Sequence, residues 1–102
     1  MEFREAQART WQNKGAKGFN LTDVPLEFGF LYREVSEAFT AWREGAPGLA
    51  SELADIALFT AGLAEMNGID LGQAVDDELA VNEARSYHRQ ANGVLPKEAE
   101  AE

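Results

Sequence analysis

The sequence predicts an all-α domain built from four helices. Apolar residues recur at helical spacing in four segments, residues typical of turns separate these segments, and no segment is a convincing strand. The chain has 102 residues, which is enough for one domain, and we expect that domain to span residues 1–91. Residues 92–102 are acidic and end in PKEAEAE, which predicts a disordered tail.

Capping residues mark the first two helices. The first helix is expected over about residues 2–13 and should end near Lys14, where a glycine follows. After a loop, Asp23 can cap the second helix, and Pro25 fits its first turn because that turn needs no backbone N–H donor there. The second helix is expected to run to about Glu44.

Short segments of helix-breaking residues also delimit the third and fourth helices. The segment Gly45–Gly48 contains two glycines and a proline, which is typical of the link between two antiparallel helices. The third helix is expected from about residue 48 to 66, and Asn67-Gly68 supplies its stop signal. Asp70 can then cap a fourth helix over about residues 71–90.

Two acidic pairs of equal spacing lie in the most apolar stretch of the chain. Glu34 and Glu37 belong to the second helix, and Glu52 and Asp55 belong to the third. Residues three apart share one helix face, and both pairs are equidistant from the hairpin link, so four carboxylates are expected to converge. Oxygen ligands at this density suit a hard cation, Mg²⁺ or Mn²⁺, and we interpret the pairs as a magnesium site.

A solvated surface is the alternative interpretation of these pairs. Glu2 and Glu5 have the same spacing, and we interpret them as solvated helix surface. The two later pairs differ because apolar residues surround them, and buried acids are seldom left without a partner. The hairpin symmetry favours the metal site.

Composition excludes several functions. The net charge of −9 disfavours DNA or RNA as a partner, although a free nucleotide accompanied by Mg²⁺ is compatible with it. The absence of cysteine excludes disulfides and thiolate zinc sites. The N-terminus lacks the apolar core of a signal peptide, and no uncharged run is long enough for a membrane span, so we expect a cytoplasmic protein.

The third helix also indicates oligomerisation. Its apolar residues are spread around most of its circumference, whereas a helix of a monomer usually buries one stripe. Three neighbouring helices from one small chain would cover such a helix poorly. An ordinary central helix is the alternative.

The order and spacing of the motifs resemble the MazG-like nucleoside triphosphate pyrophosphohydrolases over about nine-tenths of the chain. The motifs are a first helix with tryptophan, the Lys17-Gly18-Phe19 loop, EVSEAF at 34–39, ELADI at 52–56, NGIDL at 67–71, and Asn82 with Arg85.

The resemblance implies a four-helix all-α bundle that assembles as a homodimer or homotetramer. It also implies Mg²⁺-dependent cleavage of (deoxy)nucleoside triphosphates, often noncanonical ones, to the monophosphate and pyrophosphate. The implied metal ligands are Glu34, Glu37, Glu52 and Asp55, and Glu37 is the implied acceptor of the proton of the attacking water.

The fourth helix would contribute phosphate contacts through Asn82 and Arg85, whose alternative is a polar surface. Glu78 departs from the family pattern, because many relatives have a lysine four residues before the asparagine. Lys14 or Lys17 could supply the missing cation, or both could be surface lysines.

Two further alternatives stay open. Trp11 could stack on a nucleobase, although aromatic residues at helical spacing usually belong to a core. Because Glu78 replaces a phosphate-binding cation with an anion, a catalytically inactive MazG-like binding or assembly module is the alternative to an enzyme.

Overall fold

The computed structural model describes residues 2–85 and contains four α-helices. They are α1 (Phe3–Lys17), α2 (Val24–Arg43), α3 (Leu49–Met66) and α4 (Leu71–Ala84). No strand occurs within residues 2–85, so the predicted all-α class with four helices is confirmed.

The chain divides into two compact units, Met1–Gly72 and Gln73–Glu102. The predicted domain over residues 1–91 spans both units. The predicted continuation of the fourth helix to residue 90 and the predicted tail over 92–102 lie outside the described residues. Among the helices that are described, none combines the length and the apolar character that a membrane crossing needs.

Helix α1 is longer than the sequence predicts. It continues past Gly15 to Lys17 and ends at Gly18, whose φ of 71° lies in the left-handed region that favours glycine. The N–H of Gly18 donates to the carbonyls of Gly15 and Lys14, which closes the helix. The predicted end near Lys14 is therefore wrong, because an isolated glycine inside a helix costs only about 1 kcal/mol and does not by itself terminate it.

The predicted bounds of α2 and α3 are confirmed to within one residue. Asp23 caps α2, since its Oδ1 accepts a hydrogen bond from the N–H of Leu26 at 3.1 Å. Gly45, with φ of 65°, turns the chain after α2. This hairpin returns α3 alongside α2.

Helix α3 is the centre of the first unit, because it packs against both α2 and α1. Within residues 2–85, the buried apolar residues are small apart from one leucine: Ala38, Ala61, Leu63 and Ala64. Small side chains let the helix axes approach closely. Phe30 of α2 and Phe59 of α3 add a tilted ring contact with centroids 6.3 Å apart.

A buried glutamine joins α1 to the end of α3 and the start of α4. Gln7 donates from Nε2 to Glu65 Oε2 at 2.8 Å and to the Ile69 carbonyl at 2.7 Å. Its Oε1 accepts from the N–H of Leu71 at 3.0 Å. Gln7 is 7% exposed, so these bonds satisfy an amide that water barely reaches.

An exposed apolar stripe runs along α2. The α2 stripe consists of Phe28, Tyr32, Val35, Phe39 and Trp42, which are 44–72% exposed. Their spacing alternates between four and three residues, so they form one continuous line on the helix. The sequence indicated an unpartnered apolar surface on α3, whereas the longer one lies on α2.

We expect Gln7→Met to lower the free energy of unfolding by about 1–3 kcal/mol, because the carboxylate, carbonyl and N–H groups that Gln7 contacts would lose their partner. Gln12→Met is the matched control, since Gln12 is exposed on the same helix. Urea unfolding of both variants measures the difference. Equal losses would show that the Gln7 bonds contribute nothing specific.

Candidate functional site

Three acidic side chains from α2 and α3 meet in the hairpin. Glu34, Glu37 and Glu52 each offer a carboxylate oxygen, and these oxygens lie within 4.8 Å of one another. We call this group the acidic cluster. The i, i+3 spacing on α2 and the antiparallel packing of α3 bring the three groups together, as the sequence predicts.

The members of the acidic cluster differ in burial. Glu34 is buried, Glu52 is half-buried and Glu37 is exposed. Burial raises the pKa of Glu34 above its usual value of 4.5, and the negative charge of Glu37 raises this pKa further. A protonated Glu34 can also donate a hydrogen bond to Glu52 or Glu37, which acts in the same direction.

One oxygen of the acidic cluster has no partner within residues 2–85. Glu52 Oε2 is buried and accepts no hydrogen bond there. Arg33, on α2, approaches Glu34 and Glu37 only to 3.9 Å and is itself largely exposed. Clustered carboxylates with an orphaned buried acceptor fit a hard divalent cation, which would supply the missing positive charge.

Asp55, the predicted fourth ligand, lies outside the acidic cluster. Asp55 instead lines a cavity of about 180 Å³ together with Asn13 and Lys14 of α1. Its role as a metal ligand stays a prediction.

A second group of charged side chains lies about two helical turns along α2 from Glu34. Lys14 and Glu27 form a buried ion pair, with side chains 9% and 2% exposed. The sequence offered Lys14 as the missing phosphate-binding cation or as a surface lysine. It is buried within α1, and its side chain packs against Gly62 of α3. Glu27 was not identified from the sequence, although it precedes Glu34 by seven residues and therefore lies on the same face of α2.

Other predicted site residues lie elsewhere. Lys17 is exposed at the last turn of α1. Trp11 lines a separate cavity of about 470 Å³ with Glu65 and neighbouring residues. Glu65 follows Glu52 by thirteen residues on α3, which is about 20 Å along the helix axis. The structure therefore does not bring Trp11 to the acidic cluster.

The predicted phosphate-binding residues belong to the second unit. Arg85 donates from Nη1 to Asn82 Oδ1 at 2.7 Å and approaches Glu78 Oε1 at 3.5 Å. The amide and the guanidinium therefore lie together, as their spacing predicts. Glu78, the residue that departs from the family pattern, approaches the same guanidinium group as Asn82.

Two comparisons with known proteins support the predicted resemblance. A dATP/dGTP diphosphohydrolase of Cyanophage S-2L is 34% identical over 65 residues, which are 64% of this chain and 59% of that relative. The chain thus matches less than two thirds of the relative's length. No family model matches the chain.

A solved structure has the same fold. It is a Cyanophage S-2L MazG-like pyrophosphohydrolase bound to dGDP and three catalytic Mn²⁺ ions per active site. The TM-score is 0.78 at 23% identity, and the alignment covers 99% of this chain and 97% of that chain. The two comparisons together confirm the predicted resemblance to the MazG-like family and its all-α fold.

The raised pKa of Glu34 predicts a pH-dependent stability in the absence of divalent cations. Between pH 4.5 and the raised pKa, the folded state holds a proton that the unfolded state has released, so stability falls as pH rises through that window. Glu34→Gln cannot ionise, and its stability relative to the natural sequence should therefore increase with pH across the window.

Urea unfolding with a chelator present, at pH values from about 4 to 8, measures this difference. Glu44→Gln is the control, because Glu44 is exposed beyond the end of α2. Its stability difference should stay constant with pH. A constant difference for Glu34→Gln as well would contradict the proposed desolvation of the cluster.

Proposed function

We propose that this chain, whose sequence and fold resemble those of the MazG-like pyrophosphohydrolases, hydrolyses nucleoside triphosphates to monophosphates and pyrophosphate. The observation that carries the proposal is the acidic cluster with its orphaned oxygen on Glu52. A carboxylate group held half-buried without an internal cation is suited to a site that is completed by metal and substrate.

The proposed cofactor is Mg²⁺, and Mn²⁺ is an acceptable replacement because both prefer oxygen ligands. Glu34, Glu37 and Glu52 would hold it, and Asp55 would join them when substrate binds. A bound divalent cation lowers the pKa of water and neutralises charge on phosphate oxygens. The reaction forms a bond between the water oxygen and the α-phosphorus, and the bond from that phosphorus to the β-bridging oxygen breaks.

Glu37 is the proposed acceptor of the water's proton. Its side chain is 49% exposed, so water reaches it, whereas Glu34 is buried and burial raises its pKa. Lys17 at the end of α1, and Asn82 with Arg85 in the second unit, are proposed to bind phosphate oxygens. Lys14, which the sequence offered for this role, pairs with Glu27 in a buried ion pair, so we do not propose it as a phosphate ligand.

The proposed substrates are deoxynucleoside triphosphates. The phage relative is a dATP/dGTP diphosphohydrolase and the solved phage structure holds dGDP, which supports purine deoxynucleotides as the first compounds to test. Removal of noncanonical nucleotides is a further proposed role. A free nucleotide fits the net charge of −9 better than a nucleic acid does, and it fits a cytoplasmic location.

A catalytically inactive binding module is the second candidate. It is favoured by Glu78, whose carboxylate lies 3.5 Å from Arg85 Nη1 and competes with phosphate for that guanidinium. Turnover and metal binding can be measured separately, so the two candidates can be distinguished.

We also propose a homodimer formed through the α2 stripe. Aromatic side chains bury about 150–250 Å² each, so pairing two half-exposed stripes would bury on the order of 1,000 Å², which a specific interface requires. A second copy is the proposed partner because a continuous apolar line can pair with the same line of another copy about a two-fold axis. A tetramer would need a second surface.

With Mg²⁺ or Mn²⁺, the purified protein should convert at least one member of a deoxynucleoside triphosphate panel to the monophosphate and pyrophosphate. Glu52→Gln should lower kcat/KM by more than about 100-fold, because it removes a charged metal ligand. Glu44→Gln should leave kcat/KM unchanged. Chromatographic separation of the products measures the reaction.

Thermal melts with each cation distinguish the two candidate functions. A cation that binds only the folded state raises the midpoint. A raised midpoint without turnover would favour the inactive module. No turnover and no change in midpoint would contradict both the enzyme and the metal site.

Sedimentation velocity at micromolar concentration should show a dimer, and Tyr32→Glu with Phe39→Glu should convert it to a monomer, because charge in the centre of the α2 stripe opposes burial. Leu26→Glu is the control, since Leu26 is 46% exposed on the same helix but lies off the stripe. A monomeric natural sequence would exclude the proposed interface.

A further inference from the structure

Arg33 lies at the exposed edge of the acidic cluster. Its Nη2 is 3.9 Å from Glu34 Oε1, and its Nε is 3.9 Å from Glu37 Oε1. Both distances exceed the usual length of about 2.7–3.2 Å for an N–H···O hydrogen bond, so the guanidinium lies near two carboxylates without a hydrogen bond to either. The side chain of Arg33 is 59% exposed, so dissolved anions can reach it.

Two aromatic rings orient the Arg33 side chain. Its Cζ lies over the ring of Phe30, 5.1 Å from the ring centroid. Phe30 contacts Phe59 of α3 in turn, with the centroids 6.3 Å apart. A guanidinium is attracted by the negative face of an aromatic ring. Because Phe30 is anchored within the α2–α3 hairpin, this contact favours an orientation of the guanidinium beside the cluster.

The donors of Arg33 are available to a ligand. A guanidinium has five N–H donors, and no hydrogen bond from Arg33 occurs within residues 2–85. Two other basic residues that the sequence offered for phosphate binding differ in this respect. Lys14 pairs with Glu27 in a buried ion pair, and Arg85 donates a hydrogen bond to Asn82. Arg33 therefore combines unused donors with access from solvent.

The acidic cluster needs a positive group beside it if its substrate is an anion. Three carboxylates repel a triphosphate, and a divalent cation that they hold offsets this repulsion. A planar guanidinium adds directional donors, since it can bind two oxygens of one phosphate through parallel N–H···O bonds. Because Arg33 makes no hydrogen bond to the carboxylates, it would lose none when it binds a phosphate.

We propose that Arg33 binds a phosphate group of the substrate at the edge of the acidic cluster. The inference rests on the proposed function for the identity of the substrate. In the empty site the guanidinium offsets part of the charge of Glu34 and Glu37. With substrate bound it pairs with phosphate oxygens, and the carboxylates are left to the divalent cation. Removing Arg33 should therefore weaken phosphate binding without weakening metal binding.

Arg33→Gln should raise KM for the hydrolysed triphosphate by about 10- to 100-fold and change kcat less, because a charge-assisted pair with phosphate is lost. Arg33→Lys keeps the charge without the planar fork and should give an intermediate KM. Arg43→Gln is the matched control. It removes the same charge from the same helix, and Arg43 also lies over a ring, that of Phe39, at 5.7 Å.

Arg43→Gln should leave KM unchanged. An Arg33→Gln variant with the KM of the natural sequence would overturn the proposal. An equal rise in KM for both variants would also overturn it, since the effect would then come from net charge and not from the position of Arg33.

Metal binding without substrate separates this role from a structural one. In calorimetry with Mn²⁺ alone, Arg33→Gln should bind the cation at least as tightly as the natural sequence, because a neighbouring positive charge is removed. A structural role would instead loosen the carboxylates and weaken Mn²⁺ binding. Weaker Mn²⁺ binding by Arg33→Gln, together with a raised KM, would overturn the proposal.

Failure of the proposed function gives a different result. If no triphosphate is hydrolysed, calorimetry with Mg²⁺ present and either inorganic pyrophosphate or dGDP as the ligand measures phosphate binding directly. Weaker binding by Arg33→Gln than by Arg43→Gln would uphold the role of Arg33 although the proposed enzyme activity is absent. Equal affinities of the two variants, or no binding of either ligand by the natural sequence, would overturn the inference.

Discussion

Mutual repulsion among three carboxylates in the α2–α3 hairpin is the constraint on which the site depends. The packing that buries Ala38 and Ala61 also draws Glu34 and Glu52 out of water, and the nearest guanidinium, that of Arg33, stays 3.9 Å away and largely in solvent. The helices therefore hold the carboxylates together at a cost that a bound proton or a bound cation relieves. Protonation of Glu34 and metal binding are competing ways to relieve the same repulsion.

The contrast between Glu27 and Glu34 shows why one acid is structural and the other is a candidate ligand. Both lie on the same face of α2, separated by two helical turns. Glu27 is matched by an internal cation, Lys14, so its charge is neutralised in the folded chain itself. In the part of the chain that the structure describes, the charged groups near Glu34 are Glu37, Glu52 and the more distant Arg33, so its neutralisation depends on solution conditions.

Local chemistry made much of this arrangement predictable. The Asp23 cap and the Gly45–Gly48 link fixed the bounds of α2 and α3, and the hairpin symmetry then placed Glu34, Glu37 and Glu52 together. These features depend on helix periodicity and on residues close in sequence.

The features that sequence reasoning missed depend on which helix packs on which face. The end of α1 was misplaced because Gly15 and Gly18 look alike in sequence, and only the second has the left-handed conformation. The pairing of Lys14 with Glu27 required knowledge that α1 packs against α3. The same packing explains why Trp11 lies at the opposite end of α3 from the cluster.

Gly62 has a consequence for how such a protein could diversify. Lys14 of α1 packs against Gly62 of α3 and pairs with Glu27 of α2, so three helices meet at one ion pair. The carboxylates of the acidic cluster all belong to the α2–α3 hairpin, whereas the lysine of this ion pair belongs to α1. A substitution of Lys14 alone would leave Glu27 buried without its counterion, so divergence at this pair requires a coupled change in α2, the helix that also carries two acids of the cluster.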